Sequence, residues 1–239
     1  MIQLPCSLSK MVVGGVIYLL GYTDRMKIKR ISLFKCILQV HFLAIIFSVI
    51  LIGCVTVPEV NDAFRRIERL WLLEYQKTED DYRHRVIEAP YETVYEQTKK
   101  TFLDLGFPVT SQDFEKGIII GKANAPTPLS LEEWKKIAEF EGPRVKEHGG
   151  WFMKIKDNPD QYIITGKAAL KRVGSKTFVL LDYELTMPEY ERNGMLPTKV
   201  APPMAVQLGS IKFWLRIEER LEELGIKAPR KRTRTERAV

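Results

Sequence analysis

Two stretches of alternating apolar and polar residues, 162–170 and 177–187, most strongly constrain how this chain can fold. Successive side chains of a β-strand point to opposite faces, so each stretch predicts a strand with one buried face. Gly174-Ser175 lies between them and suits a tight hairpin turn. The positions predicted to face the core are Tyr162, Ile164, Gly166, Ala168 and Leu170 in the first stretch and Val179, Leu181, Tyr183, Leu185 and Met187 in the second.

Helices and further strands are predicted on both sides of this hairpin. Short strands are expected over residues 85–88, 107–111 and 117–122, and helices from Pro90 to Gly106, from Leu131 to Gly142-Pro143 and over residues 206–224. Ser130 and Glu133 have the spacing of a capping box, which predicts the start at Leu131. The order predicts an α+β domain, an antiparallel sheet of about four to five strands with helices packed on one face. The apolar positions of the last helix are Ile211, Trp214, Leu215, Ile217, Leu221 and Leu224.

Residues 61–75 predict an amphipathic helix ahead of this domain, with Phe64, Ile67 and Trp71 on its apolar side. Such a helix packs on the domain, binds a partner or lies on a membrane, and the sequence leaves these alternatives open. The acidic run at residues 78–81 predicts a solvated linker after it. The predicted segments are therefore 1–53, 54–83 with this helix, the α+β domain at 84–226, and a tail at 227–239.

The N-terminus has the layout of a secretory signal peptide. A basic cluster around Lys27 and Arg30 precedes an apolar run at residues 42–52, which ends at Gly53-Cys54. A signal of 53 residues counted from Met1 is long, whereas counting from Met26 gives the usual range of about 15–30 residues, so Met26 is the predicted start of translation. An uncleaved membrane anchor and a buried core helix are the alternatives for residues 42–52.

The four residues Leu51-Ile52-Gly53-Cys54 resemble the lipobox of bacterial lipoprotein signal peptides. This resemblance implies cleavage between Gly53 and Cys54 and acylation of Cys54, which becomes the first residue of the mature chain. Val55 stands where the sorting rule of that family has Asp for inner-membrane retention, which implies the outer membrane, facing the periplasm, in a Gram-negative source. Cys54 would be the sole cysteine of the mature chain, which excludes an internal disulfide and a Cys-based zinc site.

The charge of the chain is concentrated at its two ends. Residues 1–53 and 227–239 each hold six Lys or Arg and one acid, so removing +5 at each end from the formal +7 leaves about −3 for residues 54–226. The body is therefore not a basic nucleic-acid surface. The tail is predicted to be disordered, and it either contacts anionic headgroups or only aids solubility. The candidate contacts are Arg230, Lys231, Arg232 and Arg234.

Motifs of known chemistry are absent from the sequence. It contains no Gly-x-Ser-x-Gly elbow, no His-Glu-x-x-His pair and no phosphate-binding Gly-x-x-x-x-Gly-Lys-Ser/Thr loop. We therefore expect no enzymatic activity, no cofactor and no metal. The alternative is an envelope enzyme acting on cell-wall or polysaccharide material, for which Asp182 and Glu184, on one face of a strand, are the visible acid/base candidates.

Two regions are candidates for contact with a partner protein. Trp151 and Phe152 follow the flexible pair Gly149-Gly150, although capping of the core is an alternative role for them. Residues 188–203 form a long proline-rich connection, and loops of this length are commonly functional. This connection contributes the candidates Tyr190, Met195 and Leu196.

The pattern Leu105-Gly106-Phe107, followed by Asp113, Gly117 and Ile118-Ile119, resembles helix-grip lipoprotein domains such as those of the C subunit of the outer-membrane β-barrel assembly machinery. The resemblance covers residues 85–187. It implies a non-enzymatic, lipid-anchored module that binds or helps assemble another envelope component. The helix around Trp134 is an insertion relative to that pattern.

Overall fold

The computed structural model describes residues 55–226, without the side chains of residues 78–81, so the predicted signal peptide, Met26, Cys54 and the basic tail lie outside the described residues. Residues 60–226 belong to one compact unit. At the start of the described chain, the N–H and hydroxyl of Thr56 both donate to Glu59 Oε2, at 2.7 and 3.1 Å. In chain order the elements are α1 (Val57–Tyr82), β1 (His84–Ile87), α2 (Tyr91–Asp104), β2 (Val109–Asp113), β3 (Ile118–Asn124), α3 (Leu131–Gly149), β4 (Ile163–Val173), β5 (Lys176–Thr186), α4 (Pro188–Arg192) and α5 (Pro203–Glu223).

The five strands form one antiparallel sheet in the order β1-β5-β4-β3-β2, which confirms the predicted α+β class. The central hairpin β4–β5 turns through Gly174, whose φ of 60° suits glycine, and Ser175. Every position predicted to face inward on these two strands is buried. Alternation alone therefore predicted the register of the hairpin relative to the core.

The buried face of the sheet is covered by α2 and α5. Phe102 of α2 packs against the sheet and meets Phe213 of α5 edge to face, with ring centroids 5.6 Å apart. The opposite face is open to solvent and carries charged side chains. The charged side chains exposed on this face of β3, β4 and β5 include Lys122, Lys167, Lys171, Asp182 and Glu184.

Helix α1 packs on the domain, which is one of the three roles left open by its sequence. Val60, Phe64, Ile67 and Trp71 are buried. The predicted linker at residues 78–81 is wrong, because α1 continues through it to Tyr82. Tyr82 is buried and its carbonyl accepts a 2.7 Å hydrogen bond from the Trp214 indole, which fastens the last turn of α1 to α5.

Helix α3 begins where the sequence predicted and ends later. Ser130 Oγ accepts from the Glu133 N–H at 3.2 Å, and Glu133 Oε2 accepts from the Ser130 N–H at 2.7 Å, which completes the capping box. The predicted end at Gly142-Pro143 is wrong, because the helix runs on to Gly149. Pro143 has no backbone N–H, so the helix loses one hydrogen bond there. The burial of Val145 and Gly149 beyond the proline offsets this loss.

The buried side of α5 agrees with the prediction in part. Trp214, Ile217 and Leu221 are buried as expected, whereas Leu215 and Leu224 are about half exposed. Phe213, which was not among the predicted positions, is fully buried and lies four residues before Ile217 on the same side of the helix. The strand after α2 also begins two residues later than expected, because the Phe107 N–H donates to the Phe102 carbonyl and closes the end of that helix.

Candidate functional site

A cleft of about 250 Å³ lies where α1, β5 and the segment before α5 meet. We call it the β5 cleft. Two smaller cavities in the described part have volumes of about 20 and 30 Å³. The β5 cleft is lined by Leu72, Tyr75, Arg83, Asp182, Tyr183, Glu184, Lys199, Val200 and Val206.

The β5 cleft lies at a gap in the pairing of strand β5. On one side of the gap the Leu181 N–H donates to the Arg83 carbonyl at 2.7 Å, next to the start of β1. On the other side the Leu185 N–H donates to the Lys199 carbonyl at 2.7 Å. Between these partners the Tyr183 N–H donates to Asp182 Oδ1 at 3.1 Å. At the cleft, the outward-facing backbone N–H of β5 is therefore hydrogen-bonded to a side chain and not to the backbone of a neighbouring strand.

Asp182 is held by two donors. Besides the Tyr183 N–H, the guanidinium of Arg83 lies 3.4 Å from Asp182 Oδ1, and half of the Asp182 side chain is exposed. These contacts orient the Asp182 carboxylate in the wall of the cleft, and its exposed half is accessible to a ligand.

Glu184 and Lys199 bring two further charges of opposite sign to the cleft. Both residues are exposed, and neither side chain forms an ion pair with any side chain that the structure describes. The segment that carries Lys199 lies beside β5, since Glu184 forms a β-bridge with Val200. With respect to the described side chains, the β5 cleft thus presents one cation and one anion without an ion-pair partner, beside apolar walls.

Tyr75 fixes one wall of the cleft. Its hydroxyl donates a 2.6 Å hydrogen bond to the Ala201 carbonyl, which ties α1 to the segment that carries Lys199. Burial, aided by the nearby Asp182 carboxylate, raises the pKa of Tyr75 well above its ordinary value of 10.0. Burial also raises the pKa of Tyr183. Both phenols therefore stay protonated at neutral pH, which leaves Tyr75 as a structural donor.

The predicted partner-contact residues do not form one surface. Trp151 and Leu196 are exposed, and Phe152 is half-buried with its ring 5.9 Å from that of Trp151. Tyr190 and Met195 are buried, so the prediction that they contact a partner is wrong. Tyr190 lies on α4, where its ring packs edge to face on Phe64 of α1 at 5.6 Å, and the Met195 N–H donates to the Tyr190 carbonyl at 3.0 Å. These contacts fold the long connection onto α1.

No local pattern in the sequence indicates the β5 cleft. Arg83 and Lys199 are far apart in the chain and stand in unremarkable polar surroundings. Asp182 and Glu184 were identified only as a possible acid/base pair. Pairing of β1 and of residues 199–200 with the same strand brings these four charges together, and that pairing is a tertiary property.

Two further features are absent from the described part of the chain. Among residues 55–77 and 82–226, no cluster of three or more His, Cys, Asp or Glu side chains has the geometry to hold a metal ion. No helix in that same range is long and apolar enough to cross a bilayer. The apolar run at 42–52 lies outside it.

Comparison of the chain with protein-family models and with curated proteins found no match. The function proposed below therefore depends on the sequence and on the geometry of the described residues.

Proposed function

We propose that this protein is a lipoprotein of the bacterial cell envelope, held to the outer membrane by acyl groups on Cys54, that binds another envelope component without catalysing a reaction. The observation that carries the proposal is the order of the N-terminal features. A basic cluster, an apolar run and Gly53-Cys54 stand in sequence directly before the folded domain. Cys54 precedes the first residue of α1 by three positions, so acylation there would hold the domain close to the membrane surface.

The β5 cleft is the proposed binding site. Its free charges, Glu184 and Lys199, suit a ligand that carries both signs of charge, and its apolar wall from Leu72 and Val206 suits a side chain of that ligand. An extended peptide segment of an envelope protein meets these requirements, because it offers charged side chains, apolar side chains and backbone groups for the gap in β5. Buried area there is small, so we expect weak or transient binding.

The resemblance to helix-grip lipoprotein domains of the β-barrel assembly machinery supports the same class of role. The antiparallel sheet covered by helices agrees with what that resemblance implies for the fold. A fold of this kind serves many functions, so the partner has to be found by experiment.

Photo-crosslinking in living cells tests the proposed binding site. A photoreactive amino acid at position 72, in the wall of the cleft, should yield a defined crosslinked product with an envelope protein. The matched control is position 173, also an aliphatic side chain about half exposed but located at the β4–β5 turn. Equal products from both positions, or none from position 72, would contradict the proposal.

Charge reversal tests the role of the free ions in the cleft. Glu184→Lys and Lys199→Glu should each weaken the crosslink from position 72, since each presents the ligand with a like charge. Lys171→Glu, an exposed site on the same open sheet face but away from the cleft, should leave it unchanged. A crosslink that is insensitive to all three changes would show that the cleft charges do not bind the partner.

A further inference from the structure

The open face of the sheet carries a band of apolar side chains beside its charges. An antiparallel sheet with one face in water usually places apolar residues inward and polar residues outward. Here several outward positions are apolar, and each is half-buried or exposed. They are Val86 of β1, Phe178 and Leu180 of β5, Ala169 of β4, and Ile118 and Ile120 of β3. We call these residues the apolar band.

The register of the strands makes the apolar band continuous. Leu180 of β5 pairs with Ala169 of β4, which in turn pairs with Ile118 of β3. In the next row Phe178 of β5 pairs with Val86 of β1. Directly paired residues of an antiparallel sheet lie side by side on the same face, with their Cβ atoms about 4.5–5.5 Å apart. The band therefore crosses four strands as one surface.

Two charges of the open face are placed symmetrically about β4. Thr165 of β4 pairs with Lys122 of β3 on one side and with Glu184 of β5 on the other. The backbones of Lys122 and Glu184 are therefore separated by two strand spacings, about 10 Å. Both residues are exposed, and within the described part of the chain neither side chain forms an ion pair. The open face thus has a cation and an anion at the same height on opposite sides of its central strand.

We propose that the open face binds a second copy of this chain, with a two-fold axis that runs between the two sheets parallel to β4. Such an axis exchanges the β3 and β5 sides of the sheet. Lys122 of each copy then faces Glu184 of the other. The apolar band lies against itself, with Ile118 opposite Leu180 of the second copy. The face is therefore complementary to itself, as a two-fold interface requires.

The area of this contact fits a reversible dimer. At about 3.4 Å per residue along a strand and about 4.8 Å between strands, the five strands present a face of about 600 Å². Two copies would bury about 1,200 Å², the lower end of the range for specific interfaces. Lys167 of β4 lies near the axis, and its cross-strand neighbour Asp182 brings an anion to each of these cations. The contact therefore suits a dimer that dissociates and re-forms.

Charge exchange between two tagged chains tests this arrangement. Full-length chains with two different tags are co-expressed in a Gram-negative host and extracted with detergent, and one tag is purified. The two parent chains should co-purify. Lys122→Glu in both chains, or Glu184→Lys in both chains, should lower co-purification at least about tenfold, because like charges then meet at both symmetry-related contacts. Lys122→Glu in one chain with Glu184→Lys in the other should restore it, because both contacts are attractive again.

Control variants separate the open face from other surfaces. Lys146→Glu and Glu147→Lys, at exposed positions of α3, should leave co-purification at the parent level. Glu184 also borders the β5 cleft, so Lys199→Glu serves to separate the two sites. It should leave co-purification unchanged while it weakens the crosslink from position 72. Restoration in the mixed pair would also show that both charge variants fold and that shared detergent micelles do not account for the parent result.

A photoreactive amino acid at position 169, in the apolar band, identifies what covers the open face. A crosslinked product with twice the mass of the chain would support the proposal, whereas a product with a different protein, or none, would overturn it. Equal co-purification of all the charge combinations would overturn it as well. Failure of the mixed pair to recover would do the same. None of these outcomes bears on acylation of Cys54 or on binding in the β5 cleft, which have their own tests.

Discussion

Gly121 of β3 and Gly166 of β4 lie directly opposite each other in the sheet and leave a groove that the ring of Phe102 occupies. A Cβ on Gly166 would come within 2.7 Å of Phe102 Cε1, and one on Gly121 within 2.9 Å of Phe107 Cβ. The two glycines therefore allow α2 to approach the sheet closely, and they define where the helix layer sits.

Gly166→Ala should destabilise the fold, because the added methyl group overlaps a ring that cannot move without disturbing Phe213. We expect a loss of about 1–3 kcal/mol in the free energy of unfolding, the usual cost of overpacking a core. Urea denaturation followed by circular dichroism measures it.

The matched control is Gly209→Ala in α5, where a Cβ would be 3.6 Å from Pro128 Cγ, an ordinary contact. Alanine is the better helix former, so this variant should be as stable as the parent or more stable by up to about 1 kcal/mol. Equal stability of the Gly166 and Gly209 variants would refute the packing argument for the groove.

Local patterns were sufficient for the parts of the fold that depend on local interactions. The alternation in residues 162–170 and 177–187 predicted which side of the hairpin is buried, because the period of a strand is fixed by its backbone. Ser130 and Glu133 predicted the start of α3, because a capping box involves only neighbouring residues. These features need no knowledge of the remainder of the chain.

The errors arose where packing outweighs local preference. Pro143 normally ends a helix, yet α3 continues because Val145 and Gly149 find buried positions. Tyr190 and Met195 lie in a proline-rich connection that looks like an exposed loop, yet α1 provides a surface on which they are buried. The β5 cleft could not be predicted at all, since it depends on which segments pair with β5.

A second prediction concerns Asp104 at the end of α2, which accepts hydrogen bonds from Arg216 Nε and Arg220 Nε of α5, both at 2.7 Å. Asp104→Asn should cost about 1 kcal/mol, as expected for a partly exposed ion pair. Glu219→Gln, which alters the more exposed partner of Arg216 without touching α2, should cost less. A larger loss in Glu219→Gln would contradict the view that Asp104 joins the two helices.

The same site predicts a dependence on pH. Partial burial acts to raise the pKa of Asp104, but Arg220 and Arg216 hold this pKa below its ordinary value of 3.8. Its contribution to stability is therefore complete above pH 3.8 and is lost as the pH falls through the lower, folded-state pKa. The stability difference between parent and Asp104→Asn should shrink in acid, and a constant difference down to low pH would be inconsistent with this pairing.

The contribution of Glu141 of α3 to stability should depend on pH in the opposite direction. Burial raises its pKa above the ordinary 4.5, although the Met204 N–H, its hydrogen-bond donor at 3.4 Å, and Arg144 oppose the change. Folding then favours the protonated form, so the stability that Glu141 contributes is present below pH 4.5 and is lost as the pH rises through the folded-state pKa. Glu141→Gln should therefore gain stability relative to the parent from pH 4.5 upward, while Arg144 keeps its contact with Glu74 at 3.2 Å. Parallel stability curves for the two proteins would contradict this account.

The hydrogen bond from the Leu196 N–H to Asn61 should protect this N–H from hydrogen exchange with solvent. Asn61→Ala removes the acceptor, so the Leu196 amide should exchange its hydrogen faster, while Asn61→Asp keeps an acceptor and should preserve the protection. Hydrogen exchange with NMR detection resolves this single amide. Unchanged exchange in the alanine variant would mean that Asn61 does not hold the connection to α1.

The central claim is that the domain is anchored through Cys54, and the mass of the N-terminal peptide tests it most directly. The protein is expressed from its complete sequence in a Gram-negative host, extracted from membranes and digested. We predict a chain that begins at Cys54 and carries the added mass of a diacylglycerol group and an amide-linked fatty acid. A chain that begins at Met1 or Met26 with an unmodified Cys54 would contradict the claim.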